Sequence, residues 1–159
     1  MSQYSFLINM ETIKIITIII MSTFYIGIGL AHFIIPDNFT ILIPPSFPSP
    51  IILVYVSGFF EILFGGLLLI KKFRFYAGVG LILLLIAVFP ANIFLYLNQE
   101  VREVYGMISQ EQALIRMFFQ LPLLLIAYWH SRITEPIWFS YLCGAVSIPT
   151  IIYFINLLF

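Results

Sequence analysis

The sequence carries little charge. Only 9% of its 159 residues are Asp, Glu, Lys or Arg, and seven acidic residues balance seven basic ones. A soluble domain of this length covers its surface with far more charge, and nucleic-acid binding relies on a basic patch that this sequence lacks. The scarcity of charge therefore excludes a soluble domain and gives no indication of a nucleic-acid partner.

Cysteine and histidine are also rare. Cys143 is the only cysteine, which excludes an intramolecular disulfide and a CxxC redox pair within this chain. Because Cys143 lies in an apolar run, we expect a buried small side chain. One cysteine and no histidine cluster give little support for a metal held by protein ligands.

Apolar residues dominate instead, at 62% of the chain with a mean hydropathy of +1.11. A helix needs about 20 apolar residues to cross a bilayer. Five segments meet or approach that length, although the fourth is short and carries Arg116 and Gln120. The sequence therefore predicts an all-α polytopic membrane protein, and its first apolar run is too long for a cleavable signal. The predicted spans are 15–35, 51–70, 75–97, 113–129 and 137–159.

Lys and Arg residues predict the orientation of these spans. With five spans, the N-terminus and the connections at 71–74 and 130–136 share one side of the membrane. That side holds five basic residues, whereas the loops on the other side hold only Arg102. The distribution predicts a cytoplasmic N-terminus and an external C-terminus. The five residues are Lys14, Lys71, Lys72, Arg74 and Arg132.

The two outer connections are long. Residues 36–50 are rich in proline, which forbids a continuous helix, yet they are apolar. We expect this segment to fold back over the outer mouth of the bundle. In residues 98–112, helical spacing of Val101, Val104, Tyr105 and Ile108 indicates a short interfacial helix. Ordinary connectors at the interface are an equally good interpretation of both.

Two charged residues, Glu61 and Arg116, lie inside the predicted spans, and we group three further polar residues with them. An ionisable group costs about 2.5–3.5 kcal/mol at mid-bilayer on insertion scales, so such groups are functional candidates. A rise of about 1.5 Å per residue places all five in the outer half of the membrane, although they come from four helices. The five are His32, Glu61, Asn92, Arg116 and Gln120.

Helical spacing also places these residues on common faces. Glu61 shares a stripe of its helix with small residues that permit close helix approach. Pro90 and Pro122 remove backbone donors next to Asn92 and Gln120, which leaves nearby carbonyls free to accept. The two clearest stripes are Ser57, Gly58, Glu61 and Gly65 on the second span and Ser22, Tyr25, Gly29 and His32 on the first.

We expect Glu61 to point inward and to pair with Arg116, directly or through Asn92 or Gln120. One interpretation is a structural ion pair that fixes helix register. The other is a pocket in which the polar head of a ligand meets this cluster while its tail lies between helices. His130, at the inner end of the fourth span, is interpreted as a helix-end residue and not as part of a site.

Four fragments in this order resemble DoxX-like membrane proteins: GIGLAHFIIP, SGFFEILFGGLLL, VFPANIFLYL and IRMFFQLPLLLIAYW. The resemblance covers roughly residues 20–130. It implies a four-helix transmembrane bundle over residues 1–135, with 137–159 as an additional helix for packing or for a partner. It also implies that the five polar residues are motif positions. Some DoxX-like relatives are subunits of a thiosulfate:quinone oxidoreductase, and others are linked to membrane thiol and oxidative-stress systems.

The resulting hypothesis is an integral protein of a prokaryotic cytoplasmic membrane that binds a quinone or a lipid-like ligand, as a membrane subunit of an oxidoreductase system. In it, Glu61 accepts a proton or hydrogen bond, and Arg116 holds an anionic or carbonyl group. His32, Asn92 and Gln120 orient the head group. The alternatives are a small proton-coupled transporter gated by Glu61 and Arg116, and a structural assembly subunit. Against the transporter, the spans below Glu61 offer no polar path to the inner face.

Overall fold

The protein is a bundle of α-helices, seen in a computed structural model that describes residues 2–158, with side chains from residue 10 to residue 156. Helices make up 84% of the chain, and no strand occurs among the described residues. In the described part the helices are α1 Ser2–Ile34, α2 Asp37–Thr40, α3 Pro50–Leu69, α4 Arg74–Leu97, α5 Gln99–Val104, α6 Gln110–Phe118, α7 Gln120–Ser131 and α8 Ile137–Leu158, with a 3-10 turn at Lys71–Phe73.

Five helical stretches are long and apolar enough to cross a membrane, which confirms the predicted all-α polytopic fold. Their outward surfaces carry large exposed apolar side chains such as Leu30 and Ile86, as contact with lipid requires. Phe159, the last residue of the fifth predicted span, lies outside the described residues. The stretches are Met10–Ile34, Pro50–Leu69, Lys71–Leu97, Gln110–Ser131 and Ile137–Asn156.

The second and third spans form a tight hairpin. Pro50 begins α3 at a position where a missing backbone N–H costs nothing. At the other end, Ile70 adopts an extended conformation and the 3-10 turn leads directly into α4. Arg74 Nε donates to the carbonyl of Leu68 at 3.0 Å, which satisfies one of the free carbonyls at the end of α3.

The fourth span is broken into α6 and α7 at Phe119. Pro122 explains the break, because proline has no backbone N–H and its ring clashes with the carbonyl four residues earlier, at Phe118. Upstream, Ser109 and Gln112 form a capping box that begins α6. The break falls between Arg116 and Gln120, so these two side chains belong to different helices and not to one straight stripe.

Helices α1 and α3 approach each other through glycine. A Cβ on Gly58 would come within 2.6 Å of the Cβ of His32, and one on Gly29 within 2.7 Å of the Gly58 carbonyl oxygen. Small residues allow such close contact between membrane helices, where van der Waals packing drives association. The predicted small-residue stripes on the first and second spans are therefore the surfaces that meet.

Residues 36–49 fold over one end of the bundle, as the sequence predicts. We call this end, which also carries α5, the outer end. Leu42 is buried there against Leu95 and Ala113. The ring of Phe39 stacks on His32 with centroids 3.9 Å apart. Leu42 is thus buried and Phe39, Ile41 and Ile43 are half-buried in a cap over the helices, whereas Phe47 stays exposed.

At the inner end, a polar cluster attaches α8 to the rest of the bundle. Lys14 Nζ lies 2.7 Å from Glu135 Oε1. The same carboxylate oxygen accepts from Trp129 Nε1 at 2.8 Å and from the Ser140 hydroxyl at 3.0 Å. We call these four residues the inner clasp. It joins α1, α7 and the segment that leads into α8, and the sequence analysis did not identify it.

The interior face of α8 is built from small residues. Cys143, Ser147 and Thr150 are fully buried, which confirms the expectation for Cys143. His130 lies in the last turn of α7, as expected, but it is buried and its Nε2 is 3.0 Å from the Thr17 hydroxyl. The fifth span therefore packs against α1 and α7 as an integral helix of this bundle.

The glycine contact between α1 and α3 generates a first prediction. Gly58→Ala should lower the free energy of unfolding by about 1–3 kcal/mol, because the new methyl group overlaps His32. Gly66→Ala is the matched control, since nothing lies within 4 Å of a Cβ there. The unfolding midpoints of both variants are measured by heating in mild detergent with a dye that reacts with Cys143 when it becomes exposed. Equal midpoints for the two variants would contradict the close packing.

The inner clasp generates a second prediction. Glu135→Ala removes the common acceptor of Lys14, Trp129 and Ser140, and we expect Cys143 to be alkylated faster because α8 detaches more often. Loss of charge-assisted hydrogen bonds of this kind costs about 1.5–3 kcal/mol, hence an increase of at least tenfold. Glu11→Ala, an exposed acid on α1, is the control. An unchanged alkylation rate in Glu135→Ala would show that the clasp does not hold α8.

Candidate functional site

The five polar residues predicted as a site line one cavity of about 730 Å³. They reach it from α1, α3, α4, α6 and α7, so the shared depth derived from the sequence corresponds to a shared location. Most of the other lining side chains are apolar. The cavity has two groups of polar side chains, described in turn below.

The first group, which we call the acidic wall, comprises Tyr25, His32 and Glu61 on α1 and α3. His32 Nδ1 lies 3.2 Å from Glu61 Oε2. It also lies 2.8 Å from the carbonyl oxygen of Ile28, which can only accept. Because that carbonyl can only accept, we assign the Nδ1 hydrogen to it, and the approach to Glu61 is an ion pair only when the imidazole is protonated. The stack with Phe39 fixes the plane of the imidazole.

Two polar atoms of the acidic wall lack partners. Among the described residues, neither Glu61 Oε2 nor the Tyr25 hydroxyl has a hydrogen-bond partner, although both atoms are buried. Buried polar groups without partners are rare in folded proteins, and each calls for an explanation. Both residues line the cavity, where a bound molecule would be within reach.

The second group, which we call the basic wall, comprises Asn92, Arg116 and Gln120. Arg116 Nε donates to Asn92 Oδ1 at 3.2 Å, and Asn92 Nδ2 donates to Gln120 Oε1 at 2.9 Å. Gln120 Nε2 in turn donates to the carbonyl of Leu85. Leu85 is not the carbonyl that Pro90 frees, because the missing N–H of Pro90 would have donated to Ile86.

Tyr105 contacts the basic wall through Arg116. Arg116 Nη1 donates to the Tyr105 hydroxyl at 2.5 Å, and the guanidinium carbon lies 5.1 Å from the ring centroid. The sequence analysis placed Tyr105 on an interfacial helix and missed this role. Tyr25 was placed on the same helical stripe as His32 but was not treated as a site residue. The spacing of the two residues already indicated that they share a face.

The predicted pairing of Glu61 with Arg116 is wrong. No ion pair joins them in the described part of the chain, and no hydrogen bond links Glu61 to Asn92 or Gln120. The reason is geometric, because close packing of α3 on α1 turns Glu61 toward His32. Arg116, just before the break in the fourth span, is held by Asn92 and Tyr105 instead.

Arg116 therefore has no carboxylate partner among the described residues. A guanidinium offers five N–H donors, and the hydrogen bonds to Asn92 and Tyr105 use two of them. A charged group with spare donors beside an apolar cavity favours an acceptor such as a carbonyl or an anionic oxygen. Among described side chains, no group of three or more His, Cys, Asp or Glu residues is placed to hold a metal ion.

The cavity opens toward the lipid-facing surface. On the outer side it is covered by Phe39, Leu42 and other residues of the 36–49 segment. At the inner side, the ring of Phe64 fills the space over Gly80 and closes the hairpin. Val56 on α3 and Leu83 on α4 line the cavity and are 46% and 62% exposed on the bundle surface. An apolar molecule would reach the polar walls from the bilayer between α3 and α4.

Comparison with known proteins gives one match. A family model described as a domain of unknown function (DUF8561) matches residues 21–131. No curated protein and no solved structure matches the chain. The matched region contains both walls of the cavity, whereas Lys14, Glu135 and all of α8 lie outside it. The resemblance to DoxX-like proteins stays a prediction, because no comparison tests it.

The basic wall generates a third prediction. Asn92→Leu should lower the free energy of unfolding by about 2 kcal/mol, because Arg116 and Gln120 each lose a partner inside the bundle. Asn156→Leu is the matched control, an exposed amide in a membrane helix. Thermal unfolding in detergent compares the two. A basic wall that contributes nothing to folding would leave both variants as stable as the original protein.

Proposed function

The chain belongs to the family described as a domain of unknown function (DUF8561), and we propose that it binds a lipid-soluble molecule with a polar head in the cavity between α3 and α4. The proposal rests on one observation above all, the meeting of the five polar side chains in a cavity that is otherwise apolar. Ligand sites in proteins commonly have this composition, with volumes of about 300–1,000 Å³. The cavity here falls within that range.

The basic wall supplies the positive end of the proposed site. Arg116 holds a carbonyl or anionic oxygen of the ligand through its spare donors. Asn92 and Gln120 fix the guanidinium in place, because they connect it to the backbone of α4 through consecutive hydrogen bonds. In this role they orient the head group through Arg116.

The acidic wall supplies an acceptor. Glu61 accepts a hydrogen bond or a proton from the ligand through Oε2, which lacks a partner in the described part of the protein. His32 limits where that carboxyl group sits, since its ring is held by Ile28 and Phe39. The tail of the ligand lies along the apolar lining and leaves through the lipid-facing opening.

Quinones and lipids are the two ligand classes that we propose for this site. With a quinone, the protein would serve as the membrane subunit of an oxidoreductase system, as the resemblance to DoxX-like proteins implies. Redox chemistry would then involve the quinone and a partner subunit, because the single cysteine of this chain cannot form a dithiol pair. We further propose that the N-terminus is cytoplasmic, on the strength of the distribution of Lys and Arg.

A structural assembly role is the second candidate. The hydrogen bonds that run from Tyr105 through Arg116, Asn92 and Gln120 to Leu85 connect α4 to α7 by themselves. Such a network stabilises helix packing without any ligand. The two candidates differ in what the cavity holds when the protein is purified.

Mass spectrometry of solvent extracts from protein purified in mild detergent tests the proposal. We expect a quinone or a particular lipid to be enriched in the wild-type extract and reduced at least tenfold in Glu61→Gln and in Arg116→Gln. Hydrogen bonds to charged groups, worth about 1.5–3 kcal/mol, account for a loss of that size. Thermal unfolding confirms that each variant is folded.

Matched controls separate the site from general charge effects. Glu11→Gln and Arg132→Gln remove one acid and one base from exposed positions at the inner end. They should retain the enriched molecule at the wild-type level. Identical extracts from all five proteins would reject the ligand site and favour the structural assembly role.

A further inference from the structure

Tyr25 is a polar residue of the cavity to which neither the sequence analysis nor the proposed function gives a role. It is 8% exposed, it lines the cavity, and its hydroxyl has no partner among the described residues. Removing a hydroxyl from water without replacing its hydrogen bonds is unfavourable, and most such groups in native proteins are paired. Because the Tyr25 side chain lines the cavity, a molecule bound there could form a hydrogen bond with its hydroxyl.

Glu61 presents a second unpartnered atom on the same wall. Its Oε2 has no hydrogen-bond partner among the described residues, because the Nδ1 donor of His32 is used by the Ile28 carbonyl. A hydroxyl group on a ligand fits this pair of atoms, because it can donate to one oxygen and accept from the other. The acidic wall therefore offers one hydroxyl and one carboxyl oxygen to a hydroxyl group of a ligand.

The two walls are not connected to each other. Within the described residues, the hydrogen bonds of the basic wall join α4, α6 and α7 to one another and to Tyr105. The polar contacts of the acidic wall stay within α1 and α3, with the ring of Phe39 stacked on His32. A ligand with a single head group at Arg116 would leave Tyr25 and Glu61 buried and unpaired. A ligand with a polar group on each side of an apolar body would satisfy both walls.

We propose that Tyr25 is a ligand-binding residue and that the ligand carries two separate polar groups, a carbonyl or anionic oxygen at Arg116 and a hydroxyl at Tyr25 and Glu61. This inference rests on the proposed function and specifies the class of molecule that the site takes. It excludes amphiphiles with one polar head, such as simple fatty acids. The two groups are separated by an apolar body that spans the cavity between the walls.

Three matched probes test the inference. 1-(4-Hydroxyphenyl)dodecan-1-one carries a hydroxyl and a carbonyl on opposite positions of one ring. 4-Dodecylphenol keeps only the hydroxyl, and dodecanophenone keeps only the carbonyl. Each is titrated against purified protein while the unfolding midpoint is followed through Cys143, because a ligand that binds the folded state raises that midpoint.

We expect the two-group probe to bind at least tenfold more tightly than either single-group probe. Tyr25→Phe should weaken the two-group probe and 4-dodecylphenol about three- to tenfold, the equivalent of one hydrogen bond. Binding of dodecanophenone should be unchanged in this variant. Tyr55→Phe, in which the lost hydroxyl belongs to a ring that stacks on Phe33 outside the cavity, should behave as wild type.

The variant itself is expected to fold. Tyr25→Phe deletes a hydroxyl that has no partner in the described structure, so its midpoint without probe should equal or exceed that of wild type. Equal binding of all three probes, or an unchanged affinity of the two-group probe in Tyr25→Phe, would overturn the inference and leave the proposed function standing. Midpoints that respond to none of the probes would count against both.

Discussion

The close contact of α1 with α3 through Gly29 and Gly58 is the constraint on which the arrangement of the bundle depends. In lipid there is no hydrophobic force between helices, so association requires packing at short range. The two glycines allow it, and a Cβ at either would meet atoms of the opposite helix. This contact sets the rotation of α3 about its own axis. It therefore decides that Glu61 faces His32 and the cavity and does not reach Arg116.

The cavity follows from a difference between the two ends of α3 and α4. At the inner end the helices are tied by a short turn and packed through Gly80 against the ring of Phe64. Toward the outer end the cavity lies between them, lined by exposed residues such as Val56 and Leu83. The polar residues of α1 and α3 are thus separated from those of α4, α6 and α7. Two incomplete sets of hydrogen-bonding groups face one apolar space.

The sequence predicted which polar residues come together, but it did not predict which of them contact each other. Hydropathy gave the five spans to within a few residues, and the rise per residue brought His32, Glu61 and Arg116 to one level, where they line one cavity. Depth and helical face do not determine which helix lies opposite, so the partner of Glu61 was assigned wrongly. Pro122 was recognised as a missing donor, but its clash with Phe118, which splits the fourth span, was not. The role of Glu135 in the inner clasp was not predicted, because a single acid in a short connection forms no periodic pattern.

The inner clasp has a consequence for how the chain is made. Lys14 and Glu135 are 121 residues apart, and synthesis proceeds from the N-terminus, so Lys14 is made long before its acid partner exists. Until α8 follows, the face of α1 that will hold it is covered by lipid or by another protein. Closure of the clasp marks the moment at which the bundle is complete. Until residue 135 has been made, Lys14 lacks the carboxylate that neutralises it in the finished bundle.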